Sequence, residues 1–310
     1  MTTWAVPMDG VFMKDGVTGE TVRIGRFDPD RPGRENRMVP CLEGFETVGL
    51  RALERERGGE WLRIDEIGYL EAGCEAYQRG ILRAMESRRL IAVVRKQELP
   101  FLKSICARED VFCVDLDDPF GNIGCIIMAS GLGKRFGGNK LMADFCGEPM
   151  IMRAVRATEG LFARRVVVTR HEDVAQVCRE AGVEVILHDK PHRSDTVRIG
   201  IEALEGVERC LFCPGDQPLL KKETVASMAL SANGNENILR ASHGDAPGMP
   251  AVFPEWTFDE LRTLPEGKGG GYVIARHPRN VRMFAVSDPM ELADADDRQA
   301  FERLLEAART

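Results

Sequence analysis

Two short stretches hold the residue types that phosphate chemistry needs. Ser130-Gly-Leu-Gly-Lys-Arg-Phe-Gly-Gly-Asn-Lys140 combines glycines at 131, 133, 137 and 138 with the cations Arg135 and Lys140. Glycine lets backbone N–H groups approach phosphate oxygens closely and at positive φ, and two full positive charges suit a triphosphate and its departing pyrophosphate. The second stretch, Cys213-Pro-Gly-Asp-Gln-Pro-Leu219, offers the carboxylate of Asp216 in a turn stiffened by two prolines. Aspartate in a Pro-Gly turn is ordinarily a turn former. Facing a phosphate loop, it is also where Mg²⁺ would bridge α-phosphate oxygens and an acceptor. The glycine-rich stretch is not a Walker A sequence, because Met128 stands where its first glycine belongs and Arg135 at its Ser/Thr position; Phe136 breaks GxGxxG in the same way.

Both stretches need strands to present them. Apolar runs at 125–129, 165–169, 183–187 and 210–213 alternate with helix-period segments at 149–159, 172–181 and 195–204, which predicts βαβ units and a three-layer α/β domain around a mostly parallel sheet. In such sheets ligands bind beyond the carboxyl ends of the strands. The glycine-rich loop follows the first of these strands and Asp216 follows the fourth.

A chain of 310 residues exceeds one ordinary core. Residues 1–118 read as a second, smaller α/β unit, with a β-rich opening around Val22-Arg-Ile-Gly-Arg-Phe, helices near 45–55 and 74–87, and strands at 61–65 and 90–94. The turn-rich, acidic Asp115-Leu-Asp-Asp-Pro-Phe-Gly-Asn122 marks the expected boundary, which leaves 119–310 for the transferase-like domain.

The net charge of -7 argues against a general nucleic-acid binder. Nine cysteines without paired zinc-like spacing fit a reducing compartment. Cys210-Leu-Phe-Cys213 lies in an apolar run and reads as buried strand rather than metal site. Neither a leader pattern nor a run long enough to span a membrane is evident, so a cytoplasmic protein with no membrane partner is expected.

Met128-Ala-Ser-Gly-Leu-Gly-Lys-Arg-Phe-Gly-Gly-Asn-Lys-Leu141 resembles the signature of the MobA-like NTP transferases, with a Rossmann-like nucleotidyltransferase fold, and the likeness runs from about 123 to 305. The nearest branch is molybdenum cofactor cytidylyltransferase. The resemblance implies that Ala129, Ser130, Gly131, Leu132, Gly133 and Lys140, with Pro214 and Gly215 opposite, bind the nucleotide. It implies Lys140, Arg135 and Asp216 as catalytic residues and Asp216 as a ligand of Mg²⁺. Leu292-Ala-Asp-Ala-Asp-Asp-Arg-Gln-Ala-Phe301 resembles the family's second acidic stretch, which makes Asp296 the second metal ligand and Asp294 the reserve. Ser194, in a turn that the family sets against the nucleotide, also reads as an N-cap, and His192 lies beside it.

Gly244-Asp-Ala-Pro-Gly-Met-Pro-Ala-Val-Phe253 and Gly267-Lys-Gly-Gly-Gly-Tyr-Val-Ile274 resemble the family's acceptor segments, though Met249 replaces a common histidine. The implied reaction moves NMP, with CTP favoured as donor, onto a phosphate-bearing acceptor of molybdopterin type. A molybdoenzyme would be the partner for such a product. GTP, and sugar or polyol phosphates, stay open, because Ser130 matches neither branch's usual residue.

Leu62-Arg-Ile-Asp-Glu-Ile-Gly68 has a Walker-B-like form, with Asp65 for Mg²⁺ and Glu66 for polarising water. Over about 11–115 this part resembles small P-loop nucleoside triphosphatases, but no strand with GxxxxGK[ST] is expected ahead of Val11. Hydrolysis by this part alone is therefore not expected. A shortened domain, or one kept for scaffolding or nucleotide sensing, is.

Overall fold

The computed structural model describes residues 1–31, 37–55 and 61–309, and the chain forms two compact units, Met1–Cys113 and Val114–Thr310. The first holds a six-stranded sheet of β1 (Thr2–Val6), β2 (Gly10–Lys14), β3 (Thr21–Phe27), β4 (Met38–Pro40), β5 (Leu62–Ile67) and β6 (Leu90–Val94), in the order β4-β3-β2-β1-β5-β6. The first four strands form an antiparallel meander, and β5 and β6 join it in parallel.

A strand that the sequence reading did not single out precedes Val11. Thr2-Thr-Trp-Ala-Val6 is rich in β-branched and aromatic residues, which favour a pleated strand, and it turns at Asp9, whose N–H donates to Val6 O (3.1 Å). It enters a hairpin and not a phosphate loop. Helical residues 42–54, α1 (Glu75–Ser87) and α2 (Pro100–Cys106) pack Phe45, Leu53, Tyr77, Ile81, Leu102 and Ile105 against Ile64 and Ile67 of β5.

The second unit is built on β7 (Ile123–Ala129), β8 (Arg164–Thr169), β9 (Glu184–Leu187), β10 (Arg209–Pro214), β11 (Ile238–His243), β12 (Ala246–Pro254) and β13 (Val281–Ala285). Their order is β13-β11-β12-β10-β7-β8-β9, and β12 alone runs against its neighbours. The expected mostly parallel sheet is present.

Its three layers follow from the period of two along β7. Ile123, Cys125, Ile127 and Ala129 face one way, towards α3 (Ile151–Ala157), α4 (Glu172–Glu180), α6 (Lys222–Ala232) and α9 (Arg298–Ala307). Ile126 faces the other way, towards α5 (Arg193–Ala203), α7 (Phe258–Arg262) and α8 (Gly270–Arg276). Cys210 and Cys213 are buried in β10 as the apolar run implied, and burial pushes the Cys213 thiol up to about 12. Among the described residues no helix is long and apolar enough to cross a membrane.

The layer of α5 sits close to β7 because Gly200 has no side chain. A Cβ there would stand 2.7 Å from Ile126 Cδ1 and 2.8 Å from its Cγ2, and Ile126 is wholly buried. Gly200→Ala should therefore lower the unfolding free energy of the second unit in denaturant titrations. Overpacking costs about 1–3 kcal/mol, which outweighs a helix-propensity gain of at most about 1 kcal/mol. A more stable variant would show that this layer yields.

Candidate active site

The parallel strands β7, β8, β9 and β10 end on one edge of their sheet, and the loops that follow them share it. The loop after β7 is shaped by Gly133, whose φ is +58° and whose Cβ, if present, would stand 2.3 Å from Gly138 O. Only glycine fits there. Its carbonyl accepts from the N–H groups of Phe136 (2.9 Å) and Gly137 (3.1 Å). Phe136 turns inward and meets Phe301 edge-on, with ring centroids 5.5 Å apart.

The segment after β8 holds the loop from the side. Asn139 Nδ2 donates to Asp173 Oδ1 (2.9 Å), and His171 Nε2 lies 2.9 Å from Gly131 O. Gly131 and Leu132 are exposed on the loop. Ala129 is buried at its root, where its carbonyl accepts from Thr169 Oγ1 (2.9 Å), so its side chain does not line the surface.

Lys140 is only 7% exposed, and a buried ammonium needs partners. Its Nζ donates to Asp216 Oδ2 at 2.6 Å and lies 3.6 Å from Asp296 Oδ1, while Arg135 Nη2 donates to Asp296 Oδ2 at 2.9 Å. Two cations and two carboxylates singled out in the sequence, 161 residues apart at the extremes, thus form one cluster.

Asp216 reaches it because Pro214-Gly215 lies tight against the end of β7. Gly215 N donates to Met128 O (3.1 Å), and a Cβ on Gly215 would come within 2.9 Å of Ile151 Cδ1. Asp296 reaches it because the segment after β13 is stitched to the Asp216 loop. Ala295 N donates to Asp216 O (2.9 Å), Gln217 Nε2 donates to Leu292 O (3.1 Å), and the buried Glu291 accepts from Lys221 N (3.1 Å) and Thr224 Oγ1 (2.6 Å).

Asp294 faces Gln217 instead, accepting from its Nε2 at 3.0 Å. Burial pushes its carboxyl up, and the charges of Asp216 and Asp296 add to this, while the Gln217 bond and Lys140 oppose it.

Ser194 is not an N-cap. α5 starts at Arg193 with His192 as its cap, because Asp195 Oδ2 takes the His192 N–H (3.2 Å) and closes the turn first. Ser194 lies inside the first turn, where its Oγ accepts from Gly267 N (3.3 Å), and His192 Nε2 meets Glu266 Oε1 at 2.5 Å. Both bonds fix the turn that carries Lys268. Sequence reasoning passed over Gln217 and also His188, whose Nε2 lies 2.9 Å from Ser130 Oγ. A lone glutamine beside a proline and a lone loop histidine give no periodic or spacing signal.

In the first unit Asp65 and Glu66 stand at the end of β5, where Glu66 pairs with Arg95 at 2.5 Å. With Tyr69 and Glu71 they line a recess of about 250 Å³. Glu71 is buried and accepts from Gly68 N (2.7 Å), and burial raises its carboxyl.

A mostly parallel sheet with a glycine-rich loop after its first strand and an aspartate after its fourth, meeting over a buried lysine, is the frame of a nucleotide-binding α/β protein. Residues 125–281 match the MobA-like NTP transferase domain, and the chain belongs to that family. Residues 12–119 match an NTPase family. A 3-deoxy-manno-octulosonate cytidylyltransferase of Wolinella succinogenes is 37% identical over 117 residues, 36% of this chain and 45% of that protein. The chain therefore spans less than half the length of this curated relative.

The Mycobacterium tuberculosis protein Rv0371c, solved in complex with manganese, superposes with a TM-score of 0.51 at 20% identity, over 60% of this chain and 99% of that one. A CMP:2-keto-3-deoxy-manno-octonic acid synthetase solved with CTP superposes with a TM-score of 0.50 at 14% identity, over 61% and 98%. These two likenesses show a shared fold. The family match ends before Asp294 and Asp296, so the place of Asp296 in the cluster and of Asp294 beside Gln217 rests on the geometry.

Asp294 gives the site a pH signature. Its folded carboxyl is raised above the unfolded value, so the stability it contributes is present below about pH 4 and is lost as pH rises through the raised value. Asp294→Asn should match the wild type at acid pH and exceed it in stability at pH 7–8 in chemical denaturation. A wild-type advantage at pH 8 would contradict the assignment.

Proposed function

We propose that residues 119–310 form a nucleotidyltransferase that moves NMP, with CTP as the favoured donor, onto a small acceptor with release of pyrophosphate. The observation that carries this is the buried Lys140, which reaches Asp216 and Asp296 at the carboxyl edge of the sheet with Arg135 beside them. The donor set fits a hard divalent cation. Asp216 and Asp296 present carboxylate oxygens within reach of the same Lys140 ammonium, the ligand type of Mg²⁺, which is usually held by one or two carboxylates plus substrate phosphates. Those two aspartates would hold Mg²⁺, which would neutralise charge on the α-phosphate oxygens.

Lys140 and Arg135 then exchange their carboxylate partners for the β and γ phosphates and stabilise the departing pyrophosphate. The exposed Gly131 and Leu132 would lie along the phosphates, and the 267–269 turn, with Lys268, offers a cation to an acidic acceptor. An acceptor phosphate is already anionic, so positioning and charge stabilisation suffice without a strong general base.

Two acceptor classes have support. The family resemblance favours a phosphate-bearing acceptor of molybdopterin type, whose product would pass to a molybdoenzyme. The name of the Wolinella relative favours a sugar acid. The first unit is read as a nucleotide-sensing or scaffolding domain, with 118 as its boundary.

The test pairs Asp216→Asn with pyrophosphate assays on both acceptors. The asparagine keeps an oxygen for Lys140 but loses the charge. Turnover should fall at least about 100-fold, while CTP still raises the melting temperature through linkage. Full turnover by Asp216→Asn would overturn the metal assignment, and phosphate release lost on Asp65→Ala would place the chemistry in the first unit. Chelation of divalent ions should likewise stop pyrophosphate release, with recovery on adding Mg²⁺.

A further inference from the structure

Ser130 opens the glycine-rich loop, and its hydroxyl has two neighbours. Its Oγ lies 3.1 Å from Val168 O and 2.9 Å from His188 Nε2, while His188 Nδ1 lies 3.2 Å from Lys190 N. Directions follow from what each atom is able to do. A backbone N–H only donates, so His188 Nδ1 accepts from Lys190, and a neutral ring then carries its proton on Nε2. A carbonyl only accepts, so the single Ser130 proton goes to Val168 O and the Nε2–H goes to Ser130 Oγ. The opposite polarity would set two donors against each other at Nδ1 or leave the Val168 bond unmade. Burial and then the positive charge of Arg170 lower the His188 pKa, against opposing effects of Asp195 and Asp189, which keeps the ring neutral.

One lone pair is all that Ser130 Oγ has left to offer. We propose that His188 is a positioning residue for base selection: together with Val168 O, which takes the hydroxyl proton, it fixes Ser130 Oγ as a hydrogen-bond acceptor, so that the base seated there must present an N–H. Cytosine meets this with its exocyclic amine, whereas uracil carries an oxygen at the same position, and oxygen facing oxygen leaves both unpaired. This rests on the reading of the loop as the nucleotide site and adds to it a reason for CTP over UTP. Arg170 Nη1 donates to Pro191 O (3.1 Å), which braces the 188–192 loop that carries the histidine.

The experiment measures equilibrium binding of CTP and UTP to the full chain with Mg²⁺, which needs no acceptor. Wild type should bind CTP about 10- to 100-fold more tightly than UTP, the range expected when one site leaves a polar group unpaired. Ser130→Ala should weaken CTP and bring the ratio to within about threefold. His188→Ala removes one of the two bonds that fix the Ser130 side chain, so the hydroxyl can leave Val168 O and donate to the base, and UTP binding should rise in absolute terms, a gain that mere structural damage would not produce. His188→Gln, which still offers an N–H towards Ser130, should restore the preference. Equal binding of CTP and UTP by wild type, or an unchanged ratio in Ser130→Ala, would overturn the proposal while leaving the transferase reading intact. If neither CTP nor UTP binds, CTP as donor falls and the proposal with it.

Discussion

The buried ammonium of Lys140 is the constraint around which the second unit is arranged. A lysine this deep holds its charge only with carboxylates beside it, and they come from two places far apart in the chain. Asp216 arrives on the loop after β10, next to β7 in the sheet, and Asp296 arrives after the last strand. Because Arg135 joins through Asp296, the glycine-rich loop, the β10 loop and the approach to α9 are tied by charge at one point. Moving any of the three leaves a buried charge partly unmet.

The sheet order explains why so much chain separates these groups. β13 lies at the edge, beyond β11 and β12, so the residues after it must cross back over both strands to reach the end of β10. The crossing is held by polar bonds: Glu291 to Lys221 N and Thr224, Gln217 to Leu292 O, and Ala295 N to Asp216 O. These bonds set the depth at which Asp296 stops. The first unit meets a different demand, since its sheet joins an antiparallel meander to two parallel strands and sets Asp65 and Glu66 beside Arg95.

What the sequence made legible was local or periodic. Alternating apolar runs and helix-period segments announced the three-layer sheet, and β7 proved to be buried on both faces as a central parallel strand must be. Gly133 was legible as a loop glycine, although its close approach to Gly138 O was not, since that depends on where the loop folds back. Asp216 could be placed because it follows a strand directly. Between Asp294 and Asp296 the pattern alone offered no choice; the bond from Ala295 N to Asp216 O turns one aspartate towards Lys140 and the other towards Gln217. Ser194 misled for the opposite reason. A serine near a helix start has a strong local preference for capping, but Asp195, three residues beyond the true cap, wins the N–H, and Ser194 turns to Gly267. β1 escaped notice because a five-residue strand whose exposure does not alternate, with Trp4 and Ala5 both exposed, carries little periodic signal.

A cluster that holds its own counterions behaves differently from an open basic cleft. Arg135 and Lys140 are already matched by Asp216 and Asp296, so little positive potential extends beyond the contact, and the chain as a whole is acidic at -7. Distant polyanions are then hardly drawn in, and capture depends on close-range exchange of partners. Exchange of ionic partners at such a site should depend on ionic strength less than capture by an open basic cleft does.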